Sequence, residues 1–415
     1  PPRLKNDCFA LPPGVDWTPV DGALARLRER LRPVVGTESL PLDRALGRVL
    51  AEAVKAIRAN PPAANSAVDG YGFAHAATGD SDLVLPLIEG RAAAGQPFGG
   101  AVPAGHAIRI LTGALLPEGV DTVVLEEDTT TDGARIAFKG PVRKGANTRK
   151  AGEDLNAGDV ALSGGARLGA AEVALLAATG VTEVPVFKRL RVGVLSTGDE
   201  LAAPGSVSDP ARTYDANRPM LLALIEDWHM QAVDLGHVSD DRDALRGRLD
   251  DAVATCDAIL TSGGASAGDE DHVSALLNET GTLADWRIAL KPGRPLALAL
   301  WDGVPVFGLP GNPVAALVCT LIFARPSFGV LGGEGWSQPQ GFTIPAAFSK
   351  DKKPGRREYL RARMNADGAA EVFKSEGSGR ISGLAWADGL VEIEDGERTI
   401  RPGDPVRYIP YASFR

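Results

Sequence analysis

The stretch Leu190-Arg191-Val192-Gly193-Val194-Leu195-Ser196-Thr197-Gly198-Asp199-Glu200-Leu201 decides how the chain is read. An apolar run ends in two hydroxyls, a glycine and two acids. The order repeats at Ala258–Thr261, which leads into Ser262-Gly263-Gly264-Ala265-Ser266-Ala267-Gly268-Asp269-Glu270-Asp271-His272. It repeats again at Val304–Leu309, which leads into Pro310-Gly311-Asn312-Pro313. Helical patterns at Pro219–His229, Ala244–Ala254, His272–Leu277 and Val314–Ala324 fall between or after these runs. Short buried strands alternating with amphipathic helices predict a parallel-sheet α/β domain over residues 189–334.

Ligands of open α/β sheets bind at the carboxyl ends of the strands, where loops feed helix N-termini. Ser196, Thr197 and Gly198 suit a phosphate or oxyanion. Ser262, Gly263, Gly264, Ser266 and Gly268 can turn successive N–H groups toward an anion, because glycine lets the backbone approach closely. Pro310, Gly311 and Asn312, the third loop, open the helix Val314–Ala324, and Asp215 and Asn217 precede another. Lys291-Pro292-Gly293-Arg294-Pro295 sets two fixed cations between prolines. Carboxylates beside such nests repel an anion unless a cation intervenes. Mg²⁺ shared between Glu200, Asp271 and ligand phosphates resolves that conflict. Each loop also has a plain reading: Asp215, Asn217 and Asn312 as helix caps, Asp199 and Glu200 as acids at a helix start, Lys291 and Arg294 as surface charges. Several such loops in one domain favour a site.

Outward from this core, Val20–Leu31 and Leu42–Leu50 are expected helices, and Ala170–Ala178 another. Between them lie short alternating runs, Leu83–Ile88, Ala107–Thr112, Thr122–Leu125 and Arg135–Phe138, which predict a small all-β module. The expected organisation is a helical, elongated domain over 1–60 and 151–188, an inserted β domain over 61–150, the α/β domain, and a C-terminal β domain over 335–415. Arg357–Met364 and Val391–Glu394 supply strands of the last. Two to four compact units are what 415 residues imply.

A net charge of −9 argues against a nucleic-acid surface, which needs a basic footprint, but leaves room for a small anion held by local cations. No apolar stretch is expected to reach membrane-spanning length; the best, near Ala315–Ala324, reads as a buried helix. Cys8, Cys256 and Cys319 are too scattered for a disulfide framework or a metal site, and no signal peptide is visible, so a cytoplasmic home is expected. The P-loop, the dinucleotide fingerprint, the zincin motif and the nucleophile elbow are all missing; Asp269 stands where a P-loop needs lysine.

Asn65-Ser-Ala-Val-Asp-Gly-Tyr-Gly72, Ile110-Leu-Thr-Gly-Ala-Leu-Leu-Pro-Glu-Gly119, Ala151-Gly-Glu-Asp154, Tyr214-Asp-Ala-Asn217 and Gly308-Leu-Pro-Gly-Asn-Pro-Val314 complete the picture. With the loops above, in this order, they make the chain resemble the MoeA-type molybdopterin molybdenumtransferases, relatives of the C-terminal portion of gephyrin. The resemblance implies an elongated homodimer of four-domain subunits, with each active site between one subunit's α/β domain and its partner's inserted domain. It implies insertion of molybdate into adenylylated molybdopterin, with Mg²⁺-dependent hydrolysis of the adenylate and release of AMP. Asp69, Thr112, Asp154, Glu200, Asp240, Asp271, Lys291 and Arg294 match the family's cleft residues. The adenylyltransferase that supplies the substrate and the molybdoenzymes that accept the product become transient partners. Arg294 replaces the usual lysine, and Ala216 and Ala315 replace usual serines. Two other readings compete. A lone adenylyltransferase would lack the flanking domains, and a pure scaffold has no need of charges in a cleft.

Overall fold

The computed structural model describes residues 17–79, 81–206, 209–263, 272–279, 284–293 and 295–415. The chain forms two compact units. One comprises Pro1–Glu38, Gly47–Ala51 and Val186–Arg415, the other Ser39–Leu46 and Glu52–Pro185.

The first unit is built on a six-stranded sheet. Its spatial order is Gln231–Val238, Arg191–Thr197, Ala258–Ser262, Val304–Leu309, Pro295–Trp301, Ala284–Arg287. The first four strands are parallel. Their residues alternate between two cores: Val192, Val194, Ala258 and Leu260 pack on one face, Leu195 and Ile259 on the other. Helix Asn217–Asp227 covers the first face with Leu221 and Ile225, and helix Arg242–Val253 covers the second with Leu245 and Leu249. Asp241 caps the latter by accepting from the Ala244 N–H at 2.7 Å.

Three expectations need correction. The sheet is mixed rather than parallel, because Pro295–Trp301 and Val304–Leu309 form an antiparallel hairpin. Its two-residue turn, Asp302-Gly303, has positive φ at both positions, the geometry Asp-Gly favours. Leu42–Leu50 is not a helix: only Leu42–Arg44 makes a 3₁₀ turn, after which Gly47 turns left-handed and Leu50 bridges Val186. The apolar helix is longer than expected. Pro313–Leu331 is long and apolar enough to cross a bilayer, yet it is almost wholly buried in the protein. A π-helical turn at Thr320–Ala324 precedes Pro326, which cannot donate into a regular ladder.

The C-terminal sheet runs Leu290–Lys291, Arg357–Met364, Gly389–Ile393, Pro405–Pro410, Phe342–Pro345. Its first strand is lent by the loop after Ile288, and that pairing sets Lys291 directly beside Glu358.

In the second unit the sheet order is Thr122–Leu125, Gly70–Phe73, Ala107–Ile110, Leu83–Ala92, Arg135–Phe138, Thr129–Thr131. Phe73 stacks on Phe138 in its core, with ring centroids 5.1 Å apart. Gly70 has no alternative: a Cβ there would overlap the Val124 carbonyl oxygen. The predicted helix Ala170–Ala178 is present, its first turn closed by Glu172 accepting from the Gly169 N–H.

Candidate functional site

In the first unit, the strands Arg191–Thr197 and Ala258–Ser262 lie side by side, so their carboxyl ends share one surface. Ser196, Thr197 and Thr261 are buried there, and among the described residues their hydroxyl oxygens have no hydrogen-bond partner. Buried hydroxyls without partners are costly and rare. Asn217 ties this surface to the third loop. Its Nδ2 donates to Ser262 Oγ and to the Gly311 carbonyl, each at 2.7 Å, while its Oδ1 is buried without a partner. Asn217 is therefore a bridge between loops, not a helix cap. Gly263, at φ +95°, brings its backbone against the Thr197 carbonyl, where a Cβ would not fit.

Asp199 and Asp240 lock the first loop to its neighbour, each carboxylate accepting from the other's backbone N–H at 3.1 Å. His237 Nε2 meets the Gly198 carbonyl at 2.7 Å. Glu200 is exposed and folds back over Gly198. Asp215 is buried and receives the backbone N–H and guanidinium of Arg218, so its cap-like role holds. Pro310 is buried, whereas Asn312 is exposed and makes no side-chain cap bond. Gly264, Ser266, Gly268, Asp271 and Arg294 lie outside the described residues. Among the described residues no three His, Cys, Asp or Glu side chains gather as a metal site.

Lys291 lies on the C-terminal sheet, and its segment runs close to the third loop, where Gly293 packs beside Pro310 and Ala315. Beside it lies a pocket of about 220 Å³ lined by Lys350, Arg361, Lys374, Ser375 and Glu376 among others. Lys291 Nζ donates to Glu376 at 2.7 Å and to Glu358 at 3.4 Å. Lys350 pairs with Glu358 at 2.9 Å and with Glu376. Burial opposes the charge on Lys350, but hydrogen bonds to Glu376 and Glu358 outweigh it and raise its pKa. Burial likewise opposes ionisation of Glu376, and the two lysines overcome it and hold its pKa below the usual range. Arg361 is buried without a carboxylate; it donates to the carbonyls of Ser375 and Arg380 at 2.5 Å and of Gly377 at 3.1 Å. Desolvation lowers its pKa. Sequence reading missed Lys350, Arg361, Lys374, Ser375 and Glu376. The one local signal was an arginine between the buried residues Leu360 and Ala362 of the strand Arg357–Met364.

In the second unit, Asp69 and Thr112 meet at the ends of neighbouring strands. Asp69 Oδ1 accepts from both the backbone N–H and the hydroxyl of Thr112 at 2.7 Å, and these bonds hold its carboxyl below the usual range. Asp154 is exposed and accepts from Asn60 Nδ2 at 3.0 Å.

Three family models match the chain in succession. They are described as the MoeA N-terminal region (domain I and II) over residues 18–180, a probable molybdopterin binding domain over 193–329, and the MoeA C-terminal region (domain IV) over 343–411. The molybdopterin molybdenumtransferase of Haemophilus influenzae is 34% identical over 94% of this chain and 98% of its own length. That of a Nostoc species is 34% identical over 89% of this chain and 88% of its own length. Among solved structures, the molybdopterin biosynthesis MoeA protein of Pyrococcus horikoshii is 28% identical and superposes with a TM-score of 0.83, over 95% of this chain and all of its own. With relatives of this identity spanning nearly its whole length, the chain belongs to the MoeA family of molybdopterin molybdenumtransferases, transferases of molybdenum cofactor biosynthesis.

Proposed function

We propose that this chain hydrolyses adenylylated molybdopterin, releases AMP and leaves molybdenum on the pterin, using the strand-end loops for the adenylylated pterin and the Lys291 pocket for molybdate. The observation that carries the reading is the set of partnerless buried oxygens on Ser196, Thr197, Thr261 and Asn217 at the carboxyl ends of two adjacent strands. A polar ligand seated there would satisfy them. In this reading Gly264, Ser266 and Gly268 hold phosphate through backbone N–H groups, with those of Gly311 and Asn312 beside them, while Gly198, Ser262, Gly263 and Pro310 shape the loops. Asp215 fixes the approach of Arg218, and Asp240 fixes the loop that carries Glu200.

The cations around Lys291 suit a tetrahedral dianion, and Arg294, three residues on in the sequence, would add to their charge. The donor chemistry also fits Mg²⁺, a hard cation that takes one or two carboxylates with substrate phosphates and keeps several waters. Glu200 and Asp271 would be those carboxylates. Mg²⁺ bound there would offset charge on the phosphates. Water cleaving the phosphoanhydride leaves a phosphate on the pterin and releases AMP, so the protein's own task is to position the linkage and exclude competing geometry.

The Asp69–Thr112 pair and Asp154 then complete the cleft from a second copy of the chain. A homodimer is part of the same reading. Four domains, at 1–60 with 151–188, 61–150, 189–334 and 335–415, are our division of the subunit. A reducing, cytoplasmic setting accords with the buried free thiols Cys256 and Cys319, and burial pushes the latter's pKa up to about 12. Product delivery to acceptor molybdoenzymes and supply by the adenylyltransferase follow from the same reading.

The test is AMP release from adenylylated molybdopterin with Mg²⁺, with and without molybdate, in wild type, Glu200→Ala and Asp271→Ala. Molybdate-dependent release lost in both variants supports the assignment. No release from a folded protein that still binds its substrate would shift the weight to a scaffold role.

A further inference from the structure

Five charged side chains line the Lys291 pocket, and one of them has the wrong sign for an oxyanion site: Glu376, against Lys291, Lys350, Arg361 and Lys374. The two carboxylates near the lysines differ in kind. Glu358 is built into a strand by its register with Lys291, and its side chain is 10% exposed. Glu376 sits on a loop, and its side chain is 46% exposed. The backbone of that loop is held independently, by the three carbonyl bonds from Arg361. The Glu376 side chain can therefore leave the lysines for solvent without releasing the loop, whereas Glu358 cannot. Its carboxylate, bonded to both Lys291 and Lys350, presents two oxygens in the places that two oxygens of a tetrahedral dianion would take.

We infer that Glu376 is the resident counter-anion of this pocket, displaced from Lys291 and Lys350 when an oxyanion enters, and so a residue that sets the protein's affinity for that oxyanion. The inference rests on the reading of the pocket as the molybdate site. The exchange keeps the lysines neutralised throughout, and a dianion brings one more negative charge to the remaining cations than the carboxylate it replaces. Glu376 is half-exposed although its lysine partners are not, and water screens its side of both pairs, so displacing it lowers affinity by about three- to tenfold rather than preventing binding.

Titration calorimetry of molybdate into the full-length protein tests this, with E376Q, E376D and K350A beside wild type and thermal unfolding to establish that each variant is folded. E376Q is expected to bind molybdate about three- to tenfold more tightly, with the half-saturating molybdate for AMP release falling by a similar factor. Sulfate, a second tetrahedral dianion, should show the same gain. E376D, which keeps the charge, should lie between wild type and E376Q. If E376Q binds as wild type does or more weakly while K350A weakens binding, the pocket reading stands and the counter-anion is overturned. If K350A leaves molybdate binding unchanged, the pocket reading falls and takes the inference with it.

Discussion

Thr112 gives Asp69 two hydrogen bonds, one from its backbone N–H and one from its hydroxyl, both 2.7 Å long and both to Oδ1. One residue thus fixes the ionised carboxylate on an exposed surface. Thr112→Val keeps the backbone bond and removes the other. The Asp69 pKa should rise toward the ordinary value of 3.8, and an NMR titration of its side-chain carbonyl would read the change. The sign for stability follows. A depressed pKa contributes stability present above the unfolded value and lost as pH falls through the folded value, so this acid sensitivity should shrink in the variant. An unchanged titration would mean that the hydroxyl does nothing for the charge.

Gly70 follows Asp69 and makes the backbone contact that sets its strand. The Val124 carbonyl oxygen occupies the space of any Cβ, and the neighbour is main chain that cannot swing aside. Gly70→Ala should therefore destabilise the protein by about 1–3 kcal/mol, as overpacking does, and shift the Asp69 carboxylate with the strand. Urea unfolding followed by a probe in this unit would measure it; a loss under about 0.5 kcal/mol, the ordinary range for surface changes, would show that the sheet yields.

These elements also show what sequence could and could not reveal. The strand-end loops were legible because buried parallel strands read as continuous apolar runs and their loops are rich in glycine and hydroxyls. Gln231–Val238 was missed because an edge strand carries polar residues on its open side, and its Gly236 kink breaks the alternation. The Asp302-Gly303 turn was in plain view, yet the strand Pro295–Trp301 before it was missed, because it opens on a proline that strands carry only at edges, bulges or first positions. Leu42–Leu50 looked helical from its Pro41-Leu42-Asp43 opening, while Gly47 and the pairing of Leu50 with Val186 overrode that local preference. The Lys291 pocket was legible only in Lys291 itself, one of two cations set between prolines. Its lysines and glutamates come from residues 291, 350, 358 and 376, and only the folding of Leu290–Lys291 into a distant sheet brings them together.

Asn217 holds two loops through one amide, donating to Ser262 Oγ and the Gly311 carbonyl. Asn217→Ala leaves both acceptors underused in a buried place and should cost about 1–3 kcal/mol of stability. Because the same amide aligns the proposed phosphate loops, AMP release should fall further than stability alone explains. The comparison to make is activity at a temperature where both proteins are fully folded. Equal activity there would make Asn217 a purely structural bridge.

Arg361 spends its guanidinium on three main-chain carbonyls of the 375–380 loop, a fan that a lysine cannot reproduce from one nitrogen. It also stacks its charge 4.9 Å from the centre of the Phe373 ring. Arg361→Lys keeps the charge facing the pocket but releases two of the three carbonyls, so the loop should loosen while the electrostatics stay nearly constant. The molybdate concentration for half-maximal AMP release should then rise about fivefold or more, equivalent to about 1 kcal/mol or more, with a smaller change in maximal rate. Hydrogen exchange across residues 375–380 separates the causes. Faster exchange together with weaker molybdate binding assigns the effect to loop anchoring, whereas weaker binding with unchanged exchange would put Arg361 in direct contact with the oxyanion.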